Sequence, residues 1–129
     1  DGNPVISYLD GDNLDLMVVT CSDITCSTAN APVPIDTAGD VGWDSSIAIG
    51  SNGHPIISYL DGISSALKVA VCEDSTCASA YSATLTTQAS SLGFQSSLAI
   101  GLNGVPVISY YDQPDGLKVF IPWWIIGGR

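Results

Sequence analysis

"GHPIISYLDG", residues 53–62, is spelled almost identically at "GNPVISYLDG" (2–11) and "GVPVISYYDQ" (104–113). Ile6-Ser7-Tyr8, Ile57-Ser58-Tyr59 and Ile108-Ser109-Tyr110 stand 51 residues apart, as do Cys21 and Cys72, and Cys26 and Cys77. "GWDSSIAIGSNGHPIISYLD" (42–61) lies over "GFQSSLAIGLNGVPVISYYD" (93–112) with 13 of 20 positions identical, which chance does not produce. A period of this length marks a repeat architecture, in which each unit buries its apolar face against its neighbours.

Inside one period the pattern is strand and turn. "SSIAI" (45–49) alternates and stops at the turn cluster "GSNG"; "PIISY" (55–59) stops at "LDGISS". "ALKVAV" (66–71) sets Leu67, Val69 and Val71 on one face against Lys68 and Ala70 on the other, and "AYSATLTT" (80–87) completes the unit. No window carries a useful apolar stripe at helical spacing, so the unit predicts four antiparallel strands. In "PIISY", Ile56 points to one face while Ile57 and Tyr59 point to the other, so both faces are apolar. A sheet with one wet face alternates cleanly instead; one greasy on both sides needs a neighbour on each.

These repeats resemble a β-propeller of the extracellular bacterial kind, with units of the form "SSLAIGxxGxPVISYYD…LKV" and a blade length close to that of kelch-type propellers. The resemblance covers nearly the whole chain and implies an all-β fold, a propeller-like array of four-stranded blades with about two and a half repeats. It implies one repeat domain over 1–129: a partial blade of strands two to four (1–41), a complete blade (42–92), and a partial blade of strands one to three with an apolar tail (93–129). A β-solenoid or a sandwich of hairpins is the alternative arrangement of the same strands. Three blades cannot close a ring that needs four to eight. The expectation is therefore a piece of a longer propeller, or a chain that completes itself with other copies, as a closed oligomer or an open filament. The start at Asp1, without methionine, suits a processed product or a fragment.

Composition narrows the functional classes. The formal net charge is −10, and Lys68, Lys118 and Arg129 are the only basic residues apart from the single histidine. Nucleic-acid binding needs clustered Lys and Arg on phosphates, so that class is excluded, and anionic membrane surfaces are disfavoured. The longest apolar run, "VFIPWWII" (119–126), has eight residues and a proline, whereas a membrane helix needs about 20; membrane insertion is not expected. In that run Trp123, Trp124, Ile125 and Ile126 replace the cysteine motif of the earlier units. Leaving such side chains in water costs roughly 1.5–3 kcal/mol each. They read either as a fourth strand packed in the same chain or as a plug that docks on a neighbour, and are the candidate assembly residues.

"CSDITC" (21–26) and "CEDSTC" (72–77) each follow the third strand of a unit. Local disulfides, Cys21 with Cys26 and Cys72 with Cys77, suit motifs that recur as a unit, and imply an oxidising, extracellular or cell-surface setting. Zinc is the rival, but the motifs sit in different units and His54 is the sole histidine.

Catalytic chemistry finds little purchase. His54 stands in a turn where the other units have Asn3 and Val105, and no Gly-x-Ser-x-Gly elbow accompanies it. Asp10, Asp61 and Asp112 recur after the "ISY" strand; repetition suits hairpin turns that accept backbone N–H bonds rather than an acid/base pair. A sialidase-like propeller needs an arginine cluster for its substrate carboxylate, and this chain has one arginine, Arg129. "DGDNLD" (10–15) hints at calcium, yet Leu14 falls where an EF-hand loop needs a ligand and the closing Glu is missing. No cofactor or metal is expected beyond that weak candidate. Tyr8, Tyr59 and Tyr110 lie beside the turns, either packing between blades or, with Asp10, Asp61 and Asp112, offering a sugar-stacking site to a glycan. The expected function is a non-enzymatic extracellular structural protein that assembles with copies of itself; the alternatives are a lectin-like carbohydrate-binding propeller and a fragment of a larger propeller enzyme.

Overall fold

The computed structural model describes residues 2–86, 92–113 and 115–125, with backbone only for 92–94. The fold is all-β. Among the described residues ten strands form three antiparallel sheets, each a simple meander. The first sheet holds β1 (Val5–Asp10), β2 (Asp15–Thr20) and β3 (Val33–Asp36). The middle sheet holds β4 (Val41–Ile49), β5 (Pro55–Asp61), β6 (Ala66–Cys72) and β7 (Ala80–Thr84). The third holds β8 (Leu92–Ile100), β9 (Pro106–Asp112) and β10 (Gly116–Phe120), followed by a short 3-10 turn at Trp123–Ile125. The four strands expected for a unit are all present in the middle sheet.

Equal words fold into equal geometry. In "GSNG" and "GLNG" the Asn side chain accepts the N–H two residues on, Asn52 from His54 at 3.1 Å and Asn103 from Val105 at 3.2 Å. The glycine between them takes a left-handed conformation, φ +82° at Gly53 and +78° at Gly104, which a residue with a Cβ enters at a cost. The same turn closes on Gly50 N–H to His54 C=O at 2.8 Å and Gly101 N–H to Val105 C=O at 2.9 Å.

Registers repeat as well. Leu60, Ser58 and Ile56 on β5 oppose Leu67, Val69 and Val71 on β6; Tyr111 and Ser109 on β9 oppose Leu117 and Val119 on β10. Because side chains alternate across a strand, each set lines one face, here called forward because it looks toward the next sheet in chain order. The opposite, rear face carries Ile6, Tyr8, Met17 and Val19 in the first sheet, and Ile57, Tyr59, Lys68 and Ala70 in the middle one.

Two apolar cores lie between the sheets. One joins the forward residues Leu16 and Val18 of the first sheet to the rear residues Ile57, Tyr59, Ala70 and Cys72 of the middle sheet, with Val41. The other joins forward Ile56, Leu60, Leu67, Val69 and Val71 of the middle sheet to rear Ile108 and Tyr110 of the third, with Leu98. The middle sheet is therefore buried on both sides, as its doubly apolar strands require. The first two sheets meet closely at Gly42 (φ +104°), where a Cβ would lie 2.9 Å from Leu16 Cα.

The tail does not add a strand among the described residues. β10 ends at Phe120, Pro122 is buried, and the chain turns. Trp124 and Ile125 pack against the core between the middle and third sheets, Trp123 is 71% exposed, and Ile126 lies outside the described residues.

Candidate functional site

The chemistry-bearing side chains sort by what they touch. Asp10 accepts the Asp12 N–H at 3.0 Å and the Asn13 amide at 2.7 Å, and the Asn13 bond leads in holding its carboxyl below the ordinary carboxylate value. Asp61 accepts the N–H groups of Ile63 at 2.9 Å and Ser64 at 3.1 Å. Burial pushes its pKa up, but the bonds from Ser64 and Ile63, with the charge of Lys68, hold it net below the usual value. These are hairpin turns closed by an acceptor two or three residues back. Asp112 is used differently: it is buried and pairs with Lys118, which also reaches Asp115 at 2.9 Å. The bonds from Asp112 and Asp115 raise the pKa of Lys118. Among the described residues no three His, Cys, Asp or Glu side chains converge as metal ligands. His54 is half-buried in its turn, its ring Nδ1 3.3 Å from the Asn52 amide.

Both disulfides form within their own motif, Cys21 to Cys26 and Cys72 to Cys77, across Cα–Cα distances of 4.9 and 4.8 Å. Inside each loop lies an acceptor centre that matches none of the catalytic patterns above. Asp23 accepts from Thr25 N–H at 2.9 Å, Thr25 Oγ1 at 2.6 Å, Ser27 Oγ at 2.7 Å and Thr28 N–H at 3.1 Å. Asp74 accepts from Thr76 N–H at 2.7 Å and Ala78 N–H at 3.3 Å. Both carboxyls are held below the ordinary range, by the Thr25 and Thr76 bonds first. The signal was in plain view: the two motifs share C-x-D-x-T-C, not merely C-x4-C.

The three tyrosines have unequal surroundings. Tyr59 is fully buried, and its hydroxyl donates to Asp36 at 2.7 Å. The Lys68 ammonium also reaches Asp36, and lies 5.6 Å from the centre of the Tyr59 ring. Asp36 ends β3, so this group ties the outermost strand of the first sheet to the rear face of the middle sheet. Burial pushes the Asp36 carboxyl up, while Lys68 and then Tyr59 bring it net below its ordinary value. Burial, with the nearby Asp36 charge, drives the Tyr59 pKa up, so the ring stays neutral. Tyr110 is 8% exposed and sits in the other core. A sugar stacks on an open ring face, which Tyr59 and Tyr110 do not present; Tyr8 is half-buried on the rear face of the first sheet.

A hydroxyl ladder crosses both junctions at equivalent positions. Ser7 Oγ lies 3.0 Å from Ser45 Oγ, and Ser58 Oγ lies 3.0 Å from Ser96 Oγ. A cleft of about 520 Å³ opens between the first and middle sheets at the disulfide end, lined by the neutral polar groups of Asn3, Thr20, Ser22, Asn30, Ser75 and Thr76 among others.

The outer faces depart most from the repeat. On the middle sheet Leu67 and Val69 are 0% exposed and Leu60 is 5%; their counterparts on the third sheet, Leu117, Val119 and Tyr111, are 76%, 56% and 43% exposed. Ile121, in the place of Val71, is also exposed. At the other end Ile6 is exposed where Ile57 and Ile108 are buried. The chain matches no protein-family model and no curated protein sequence.

Proposed function

We propose that this chain is a non-enzymatic, extracellular structural protein built of propeller-like blades, whose open outer blades are covered by other copies of itself. The observation that carries the reading is the exposure of Leu117, Val119 and Ile121, residues whose counterparts in the preceding unit form a core. Covering side chains of this size gains roughly 1.5–3 kcal/mol each when they go from open to buried, so three of them make a sizeable part of a joint. Among the described residues no catalytic constellation competes with this reading: Asp10 and Asp61 close turns, Asp112 holds Lys118, and Asp23 and Asp74 order disulfide loops. Two disulfides support an oxidising compartment, and among the described residues no helix is long and apolar enough to cross a membrane.

Sedimentation of the purified chain over a hundred-fold concentration range tests the proposal. Growth from 13.3 kDa to a closed oligomer or a polymer is the expected result. A particle that stays at one chain throughout refutes it.

One observation favours a second reading, glycan binding. The cleft between the first two sheets is lined by hydroxyls, amides and the exposed Ile49 and, among the described residues, carries no charged side chain, which suits a neutral polyhydroxylated ligand better than an ionic one. Binding of neutral oligosaccharides in a glycan array, abolished by Asn30→Ala together with Thr20→Val, would establish it. An unchanged array signal in that double variant would remove it.

A further inference from the structure

We infer that copies of this chain join head to tail, the forward face of the third sheet in one copy seating on the rear face of the first sheet in the next. This rests on the self-assembly reading and adds its polarity and its residues.

The two internal junctions supply the template. At each, a forward face meets a rear face, never forward on forward: Leu16 and Val18 meet Ile57 and Tyr59, and Leu67 and Val69 meet Ile108 and Tyr110. The unpaired forward face repeats the register of the buried one, with Tyr111 opposite Leu117 and Ser109 opposite Val119 as Leu60 stands opposite Leu67 and Ser58 opposite Val69. The unpaired rear face repeats the other half: Ile6 and Tyr8 occupy the places of Ile57 and Tyr59.

Charge points the same way. A net charge of −10 makes copies repel over most of their surface; on these two faces the residues named carry no charge, and the acidic pair on the rear face, Asp10 opposite Asp15, lies at its turn end. One difference between the rear faces fits the joint in particular. Lys68 sits on the middle sheet and is neutralised by Asp36 from the fourth-position strand of the sheet before it, and Lys118 is neutralised by its own Asp112 and Asp115. The first sheet has Met17 at this place. The third sheet, among the described residues, has only β8, β9 and β10 and no strand in the place of β3 to contribute a carboxylate. A methionine on the incoming rear face needs no carboxylate from the neighbouring sheet.

Complementation tests the polarity. Leu117→Asp with Val119→Asp disables the forward face and leaves the rear intact; Ile6→Asp disables the rear and leaves the forward intact. Each variant alone is expected to stay at the mass of one chain, with the far-UV circular dichroism of the wild type. Mixed one to one, they are expected to form a capped particle of two chains and nothing larger. The milder Leu117→Ser and Ile6→Ser carry the test if an aspartate variant fails to fold, with the same pattern and at least a ten-fold weaker association than wild type. If Ile6→Asp assembles as the wild type does and the mixture forms no new particle, the faces pair like with like and the inference falls while self-assembly stands. A wild type that never leaves the mass of one chain overturns both.

Discussion

Leu67→Ala and Leu117→Ala change the same side chain at the same place in two successive units, and the structure assigns them opposite consequences. Leu67 is 0% exposed in the core between the middle and third sheets, while Leu117 is 76% exposed. Truncating a fully buried leucine removes its transfer free energy and leaves a cavity, together about 2–5 kcal/mol; truncating an exposed one stays within about 0.5 kcal/mol. With a urea slope of about 2 kcal/mol/M for a domain of this size, a loss near 3 kcal/mol moves the midpoint down by about 1.5 M, and the exposed change moves it by less than about 0.3 M. Urea titrations followed by tryptophan fluorescence suit the question, because Trp124 packs on the core in which Leu67 sits. They should be run first at a dilution where the chain is single, then at high concentration. In the dilute series only Leu67→Ala is expected to be destabilised; in the concentrated series the proposed self-assembly predicts a gain in stability for the wild type that Leu117→Ala does not share. Equal midpoints for the two variants in the dilute series would refute the assignment of interior and exterior faces. If Leu67→Ala does not fold, Val69→Ala against Val119→Ala poses the same question with a smaller deletion.

The polar group between the first two sheets predicts a pH response. Asp36 titrates below its unfolded value of 3.8, so its contribution is present above that value and is lost as pH falls through the lower folded value. Tyr59 titrates above its unfolded value of 10.0, so its contribution holds below pH 10 and is lost as pH rises toward the folded value. Asp36→Asn, which leaves Lys68 largely buried without its counter-charge, should cost about 3–5 kcal/mol and flatten the acid limb of a plot of melting temperature against pH; an unchanged acid limb would remove the role given to Asp36. Tyr59→Phe should cost about 1.5–3 kcal/mol, the range for a hydrogen bond to a charged group, and a melt indistinguishable from wild type would count against that bond. Replacing Cys72 and Cys77 by Ser should lower stability by about 2 kcal/mol, as expected for opening a short covalent loop, and non-reducing peptide mapping of the wild type should find each Cys joined to the one five residues away; any crossing pair contradicts the fold. Asp23→Ala should speed amide exchange at Thr25, Ser27 and Thr28 and leave β1 and β2 protected.

Much of the fold was legible because the repeat is written in the strands themselves. On β5, Ile56 and Leu60 point to one side of the strand and Ile57 and Tyr59 to the other, and the structure does place a sheet on each side of it. The disulfide pairing followed from motifs that travel with their units, and the hairpin roles of Asp10 and Asp61 from their place after a strand. What the sequence concealed were contacts between units. Nothing around Asp36 in "PIDT" marks it as the acceptor for Tyr59 and Lys68, because that partnership spans 23 and 32 residues and depends on how two sheets face each other. Asp112 shares its position in the repeat with Asp61 yet binds a lysine, since the turn after it is one residue shorter and brings Lys118 and Asp115 together. The tail was misleading for a simpler reason. Its tryptophans and isoleucines suit a strand by composition, but Pro122 in their midst removes a backbone donor and the chain curls into a 3-10 turn.

Gly42 has a wider reach than its size suggests. The main chains of the first two sheets touch there with no room for a single added carbon, so this residue limits how tightly these two sheets are wedged, and in the assembly proposed above that wedge would recur once in every copy. A small change in wedge angle, multiplied over many units, separates a circle from a helix. Gly42→Ala would then alter the pitch of an assembly without touching either of the surfaces by which its members meet.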